Sequence, residues 1–194
     1  MMSETTPSAR VRHWLAETER HPDSAVAHFN LGLAYTCQGH VNSAEAAYRR
    51  ALELDPSLVE AWVNLGGVLL LKWDFRGAVE AIERALALRD DLVIAHYNRG
   101  QAYLYLGDAE RVVESNRRVV ELAPDHAAGR YFLAVGLLAC GRVEEARREL
   151  SQAMALGHRP APEFLQALER AERQARPVGL MDLSPRNDSG DESR

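Results

Sequence analysis

The sequence predicts an all-α protein built as a right-handed α-solenoid, a stack of helix–turn–helix units. Three observations lead there. Tiny residues recur every 34 positions, at Gly32, Gly66, Gly100 and Ala134. Two further columns, Ala44, Ala78, Val112, Ala146 and Ala51, Ala85, Val119, Ala153, keep the same spacing. Gly39, Gly107 and Gly141 recur where a first helix would end, the place of a left-handed cap. A mid-helix glycine costs about 1 kcal/mol relative to alanine. A periodic column of them therefore marks points where another helix comes too close for a side chain. Such a period is the signature of repeats that share one elongated core.

Each element has its own justification. Residues 1–7 read as a disordered N-terminus. In SARVRHWLAETERHP, Pro22 stands one period before Pro56, so 8–24 reads as a half-repeat contributing a single second helix, with Trp14 in the column of Tyr48 and Ile82. Four full units follow at 25–58, 59–92, 93–126 and 127–160, closed by Pro56, Asp90, Pro124 and His158. Residues 161–176 contain PEFLQALERAERQ, amphipathic with Phe164, Leu165 and Leu168 on one face, as the cap of a solenoid must be. Beyond it, 177–194 runs into RNDSGDESR and reads as a disordered tail.

The run WVNLG places Trp62, Leu65 and Gly66 in the signature positions of the second unit. With the 34-residue period it resembles the tetratricopeptide repeat (TPR) family. That resemblance implies a concave surface lined by the first helices of successive units, and a protein that binds other proteins rather than a catalyst.

Composition narrows the classes. A net charge of −5 disfavours a general nucleic-acid surface. Of 23 Lys and Arg, all but Lys72 are Arg, a skew that suits a GC-rich bacterial genome. The N-terminus lacks the apolar stretch of a secretory signal, and no run is apolar enough to span a membrane. Cys37 and Cys140 lie in distant units, too far apart to pair, as expected of a reducing compartment. Cytoplasm is the expected location.

No catalytic, metal-binding or cofactor-binding residues are expected. There is no phosphate-binding loop, and His28 and His96 stand two units apart in the column of Trp62. The arginines at 49–50, 84 and 117–118 form a stripe on successive second helices, with Glu45, Glu80 and Glu114 four residues before Arg49, Arg84 and Arg118. This spacing predicts neutralising pairs on a solvated outer face.

Function is expected in the concave groove. Read by register, its lining is Phe29, Asn30 and Leu33 in unit one, Val63, Asn64 and Leu70 in unit two, Tyr97, Asn98, Gln101, Leu104 and Tyr105 in unit three, and Tyr131, Val135 and Leu138 in unit four. TPR domains that clamp the acidic C-termini of chaperones use Lys, Arg and Asn there; Phe29 and Leu33 stand where that clamp would begin. The strip calls instead for an apolar extended peptide or an amphipathic helix of a protein partner. Asn30, Asn64 and Asn98 resemble the asparagine ladder in the TPR region of a sugar transferase acting on Ser and Thr. They either hold a peptide backbone or bridge helices. Trp73 replaces the turn glycine of unit two, which predicts either a rearranged turn or strain shifted to Asp74, with Trp73 as an exposed anchor or folded over Phe75. The expected protein is an adaptor or assembly factor without a cofactor. The alternative is a permanent accessory subunit of an enzyme complex, and self-association is open.

Overall fold

The computed structural model describes residues 8–175. The sequence expectations for 1–7 and for the tail at 177–194 fall outside these residues. Ten helices follow one another, with no strand among the described residues: α1 (Ala9–Arg20), α2 (Ala25–Cys37), α3 (Val41–Leu54), α4 (Val59–Leu71), α5 (Phe75–Leu88), α6 (Val93–Leu106), α7 (Ala109–Leu122), α8 (Ala127–Ala139), α9 (Val143–Ala155) and α10 (Pro162–Ala175). Consecutive helices pack as antiparallel neighbours from α1 to α10, so the fold is an α-solenoid. The even-numbered helices also touch across units, α4 with α6 and α6 with α8, which makes them the inner layer.

The small-residue column is explained by its partner column. A Cβ added at Gly32 would lie 2.5 Å from the Tyr48 ring, at Gly66 2.5 Å from Ile82 and at Gly100 2.5 Å from Asn116. Those three residues are fully buried, and Leu150 continues their series opposite Ala134. Glycine is needed because the opposing side chain, not a backbone turn, fills the space.

A second periodic device holds the unit boundaries. Nε2 of His28 bonds the Pro22 carbonyl at 3.1 Å, and Trp62 Nε1 donates to Pro56 O at 2.8 Å. His96 Nε2 bonds Asp90 O at 2.8 Å, and Arg130 Nε donates to Pro124 O at 2.8 Å. Four side chains of three kinds in one column thus clip the loop that precedes their helix. Phe164 holds the same column in α10 and has no donor.

The intra-unit turns share one geometry. Gly39, Gly107 and Gly141 have φ of 71°, 76° and 73°, and Trp73 has φ 63°. Each of the four amides bonds the carbonyl three residues back, at 3.0–3.2 Å, and each following amide bonds one five residues back. The expectation of a rearranged turn, or of strain moved to Asp74, is therefore corrected. Trp73 itself takes the left-handed angle, while Asp74 keeps φ −86° and caps α5 by accepting from the Gly77 amide. The hydrogen bonds of the turn require that angle, and the tryptophan bears a cost of about 1–2 kcal/mol.

Buried apolar residues gather in blocks. One joins α3, α4 and α5 around Tyr48, Leu65 and Leu69. Another joins α7 to α10 around Leu133, Leu137, Leu150 and Leu168. A smaller block under α1 contains Val11, Leu31 and Ala34 with Trp14 against it. Between the two large blocks, the α6–α7 pair buries His96, Ser115 and Asn116.

Candidate functional site

The groove lies along the inner helices. Of the residues read from the sequence, Phe29, Asn30, Leu33, Val63, Asn64, Leu70, Tyr97, Asn98, Gln101, Leu104, Tyr131, Val135 and Leu138 are all half-buried. Tyr105 is 60% exposed. None is sealed in the core, yet several serve it. Phe29, Leu33 and Leu70 pack on the first large block and Tyr131 and Leu138 on the second.

The aromatic part is concentrated in units three and four. Tyr97 meets Phe132 edge-on at 5.8 Å and lies 5.1 Å from the His126 ring. Tyr131 meets Phe132 at 5.4 Å, stacks on His158 at 4.3 Å and meets Phe164 of α10 at 5.3 Å. Phe132 stands one period after Asn98, and the groove lining read from the sequence does not include it. In the fold it bridges the two tyrosines, and the aromatic at that register was the available signal. Phe164 and His158 were read as cap and loop; their place beside Tyr131 depends on how α10 folds back, which no local pattern reveals. Toward the turn edge, Leu104 and Val135 line a small notch of ≈ 160 Å³ with Asp108, Val112 and Ala139.

The three asparagines are not equivalent. Asn30 Nδ2 donates to Val26 O at 3.0 Å and Asn64 Nδ2 to Glu60 O at 2.7 Å, each within its own helix. The Asn98 amide has no hydrogen-bond partner among the described residues. It faces Gly67 on α4, lying 3.8 Å from where a Cβ would stand there. Any side chain at 67 would narrow that gap.

Trp73 lies outside the groove on the turn edge. It is 71% exposed although it meets Phe75 edge-on at 5.9 Å, so it is an exposed residue that also rests on Phe75.

The outer face departs from the predicted pairing. Arg49 pairs with Glu45 at 2.9 Å, and Lys72 joins the same carboxylate at 2.5 Å. Together Lys72 and Arg49 hold the Glu45 carboxyl below its ordinary value. Glu114, however, pairs with Arg99 at 3.1 Å, and Arg118 with Glu121 at 3.1 Å. Among the described residues no ion pair links Glu80 to Arg84. Arg99 draws Glu114 away because its Nε also donates to Ser115 Oγ at 3.0 Å. An outer cleft of ≈ 750 Å³ mixes Arg99, Arg117 and Arg118 with Glu110, Glu114 and Glu121. Such exposed pairs contribute at most about 1 kcal/mol each, and the mixed signs favour neither an anion nor a cation.

Among the described residues no group of three or more His, Cys, Asp or Glu could hold a metal, and no helix is long and apolar enough to cross a membrane. Cys37 and Cys140 are both free. Burial, with Glu110 beside it, pushes the Cys140 thiol up from its ordinary value.

Stacked helix pairs with an inner aromatic strip define a helical-repeat scaffold. Tetratricopeptide repeat models match residues 25–58 and 93–126, and the chain is a TPR protein. Members of this family are generally non-catalytic modules that bind other proteins. No curated protein matches the sequence. Solved structures similar in fold include YrrB, described as a TPR protein with an unusual peptide-binding site, at 21% identity over 88% of this chain and 95% of its own, with TM-score 0.71. MamA aligns at 21% identity over 76% of this chain and 86% of its own, with TM-score 0.73. MamA from Desulfovibrio magneticus RS-1 gives 18%, 86%, 86% and 0.64 in the same order.

Proposed function

We propose that this TPR protein is a non-enzymatic adaptor or assembly factor that holds an apolar peptide or amphipathic helix of a partner protein in its inner groove. The observation that carries the reading is the pairing of an aromatic strip with one unspent amide. Tyr97, Phe132 and Tyr131 form a continuous ring surface, and Asn98, the residue after Tyr97 in α6, turns toward Gly67 of α4 with its donors and acceptor unused. Aromatic rings supply contact area at low entropic cost, and a free carboxamide meets a peptide backbone without reading its side chains. Asn30 and Asn64 are occupied by their own helices, so the ladder reduces to one rung. That YrrB is a peptide-binding TPR protein supports a peptide ligand for this groove.

The test is selection from a random peptide display library, followed by affinities of the winning peptides. Selected sequences should be rich in large apolar residues. Tyr97→Glu or Tyr131→Glu should each weaken binding by more than tenfold, because a carboxylate would be buried without a partner. Asn98→Ala should cost about fivefold, the loss of roughly one hydrogen bond. Arg84→Glu with Arg117→Glu on the outer face should leave affinity unchanged. A partner lost through the outer-face variant and kept by the tyrosine variants would move the site to the other surface.

A further inference from the structure

Four large apolar side chains crowd the turn edge of units two and three. Leu71 is 65% exposed, Trp73 71%, Tyr105 60% and Leu106 40%. Trp73 and Tyr105 are ordered against each other and against Phe75. Phe75 and Tyr105 stack in parallel at 4.5 Å, and Trp73 stands edge-on to Tyr105 at 5.7 Å. Contiguous exposed apolar surface of this kind marks an interaction site. Trp73 also holds a backbone angle at which the other three turns use glycine. Strain kept where a cheaper residue would serve points to a function for the side chain.

We infer that this ridge is the docking site for the apolar segment 178–183 of the chain's own sequence. Register places the two ends together. Ala175, the last residue of α10, lies at the 34-residue spacing from Gly141, Gly107 and Trp73. The chain therefore leaves the solenoid on the edge that carries the ridge. Inner helices pack about 8–10 Å apart, so Tyr105 and Leu106, two units back, stand roughly 20 Å from that exit. An extended chain covers about 3.3 Å per residue, which brings positions 180–183 to roughly 17–26 Å. Leu180, Met181 and Leu183 fall in that span, with Val178 on the way to it and the polar run RNDSGDESR beyond. The reach and the apolar side chains match the ridge, and no second chain is required.

The full-length protein tests this by paramagnetic relaxation. A nitroxide is placed at residue 180 through Leu180→Cys in a Cys37→Ser, Cys140→Ser background. Docking predicts loss of the amide signals of residues 71–73 and 105–107, with residues 29–33 and 63–67 unaffected. The loss should persist when labelled protein is diluted with unlabelled, and should vanish in a Trp73→Gly variant, which keeps the turn. Met181→Asp with Leu183→Asp should shift Trp73 emission to longer wavelength. Loss at the groove instead of the ridge, loss that disappears on dilution, or no loss at either place would each overturn the assignment.

Discussion

Units two and three are built to one plan and spend their weaknesses in different places. In unit two the α4–α5 contact is wholly apolar, with Ile82 seated on Gly66, while the turn carries a left-handed tryptophan. In unit three the turn has Gly107 at no steric cost, while the α6–α7 contact seats Asn116 on Gly100. Asn116 Nδ2 donates to Val112 O at 2.9 Å, but its Oδ1 is buried with no partner. His96, whose Nε2–H serves the Asp90 carbonyl, leaves Nδ1 buried as a second acceptor without a donor. The difference teaches that the repeat tolerates either a strained turn or a polar contact, provided the neighbouring units are sound.

The comparison can be broken most forcefully at the glycines it takes as common ground. Gly66→Leu and Gly100→Leu should each destabilise by about 3 kcal/mol, since both drive a branched side chain into a filled site. Chemical denaturation checks this, and an unchanged midpoint for either would remove the close-contact argument. An exchange of the two occupants sharpens the contrast. Ile82→Asn should cost about 3 kcal/mol by burying an unsatisfied amide, and Asn116→Ile should gain about 1 kcal/mol by removing one. Equal and opposite effects would be surprising, because only the first creates a new defect.

A smaller effect is expected at the turn. Trp73→Gly should stabilise by about 1 kcal/mol or less, the relief of strain offset by lost contact with Phe75 and Tyr105. The smallest effect is in pH. Burial lowers the His96 pKa, opposed by its bond to Asp90 O and reinforced by Arg99 and Arg118. The unfolded chain therefore binds a proton that the folded one resists, and stability falls as pH drops below the ordinary histidine value of 6.5. The fall should flatten in His96→Gln, which keeps a donor and does not titrate in this range. Melting temperatures at pH 7.5 and 5.5 measure it.

Much of this architecture was legible because the period is long and each column has one physical job. Gly32, Gly66 and Gly100 announced close contacts, and the structure supplies their partners. The half-buried lining of the inner helices also follows from register alone. What escaped was side-chain choice among equals. Glu114 has Arg118 four residues on and Arg99 across the helix pair, and only the three-dimensional arrangement selects Arg99. Asn30, Asn64 and Asn98 look identical in sequence, yet two turn inward to their own helix. Trp73 was noticed as an exception but its angle was misjudged, because the hydrogen bonds of the turn outweigh its propensity.

The clips at the unit boundaries make a different point, about information. Histidine, tryptophan and arginine share neither volume, charge nor hydropathy, so their column looks arbitrary when residues are compared by similarity. What they share is a planar nitrogen donor at one distance from the backbone. The position is thus degenerate in identity and strict in geometry, and a substitution table would misjudge it in both directions. It would reject an exchange of Trp62 for arginine, which keeps the clip, and accept phenylalanine, which releases the Pro56 carbonyl. Repeats of this kind can drift far in composition while every boundary loop stays tied.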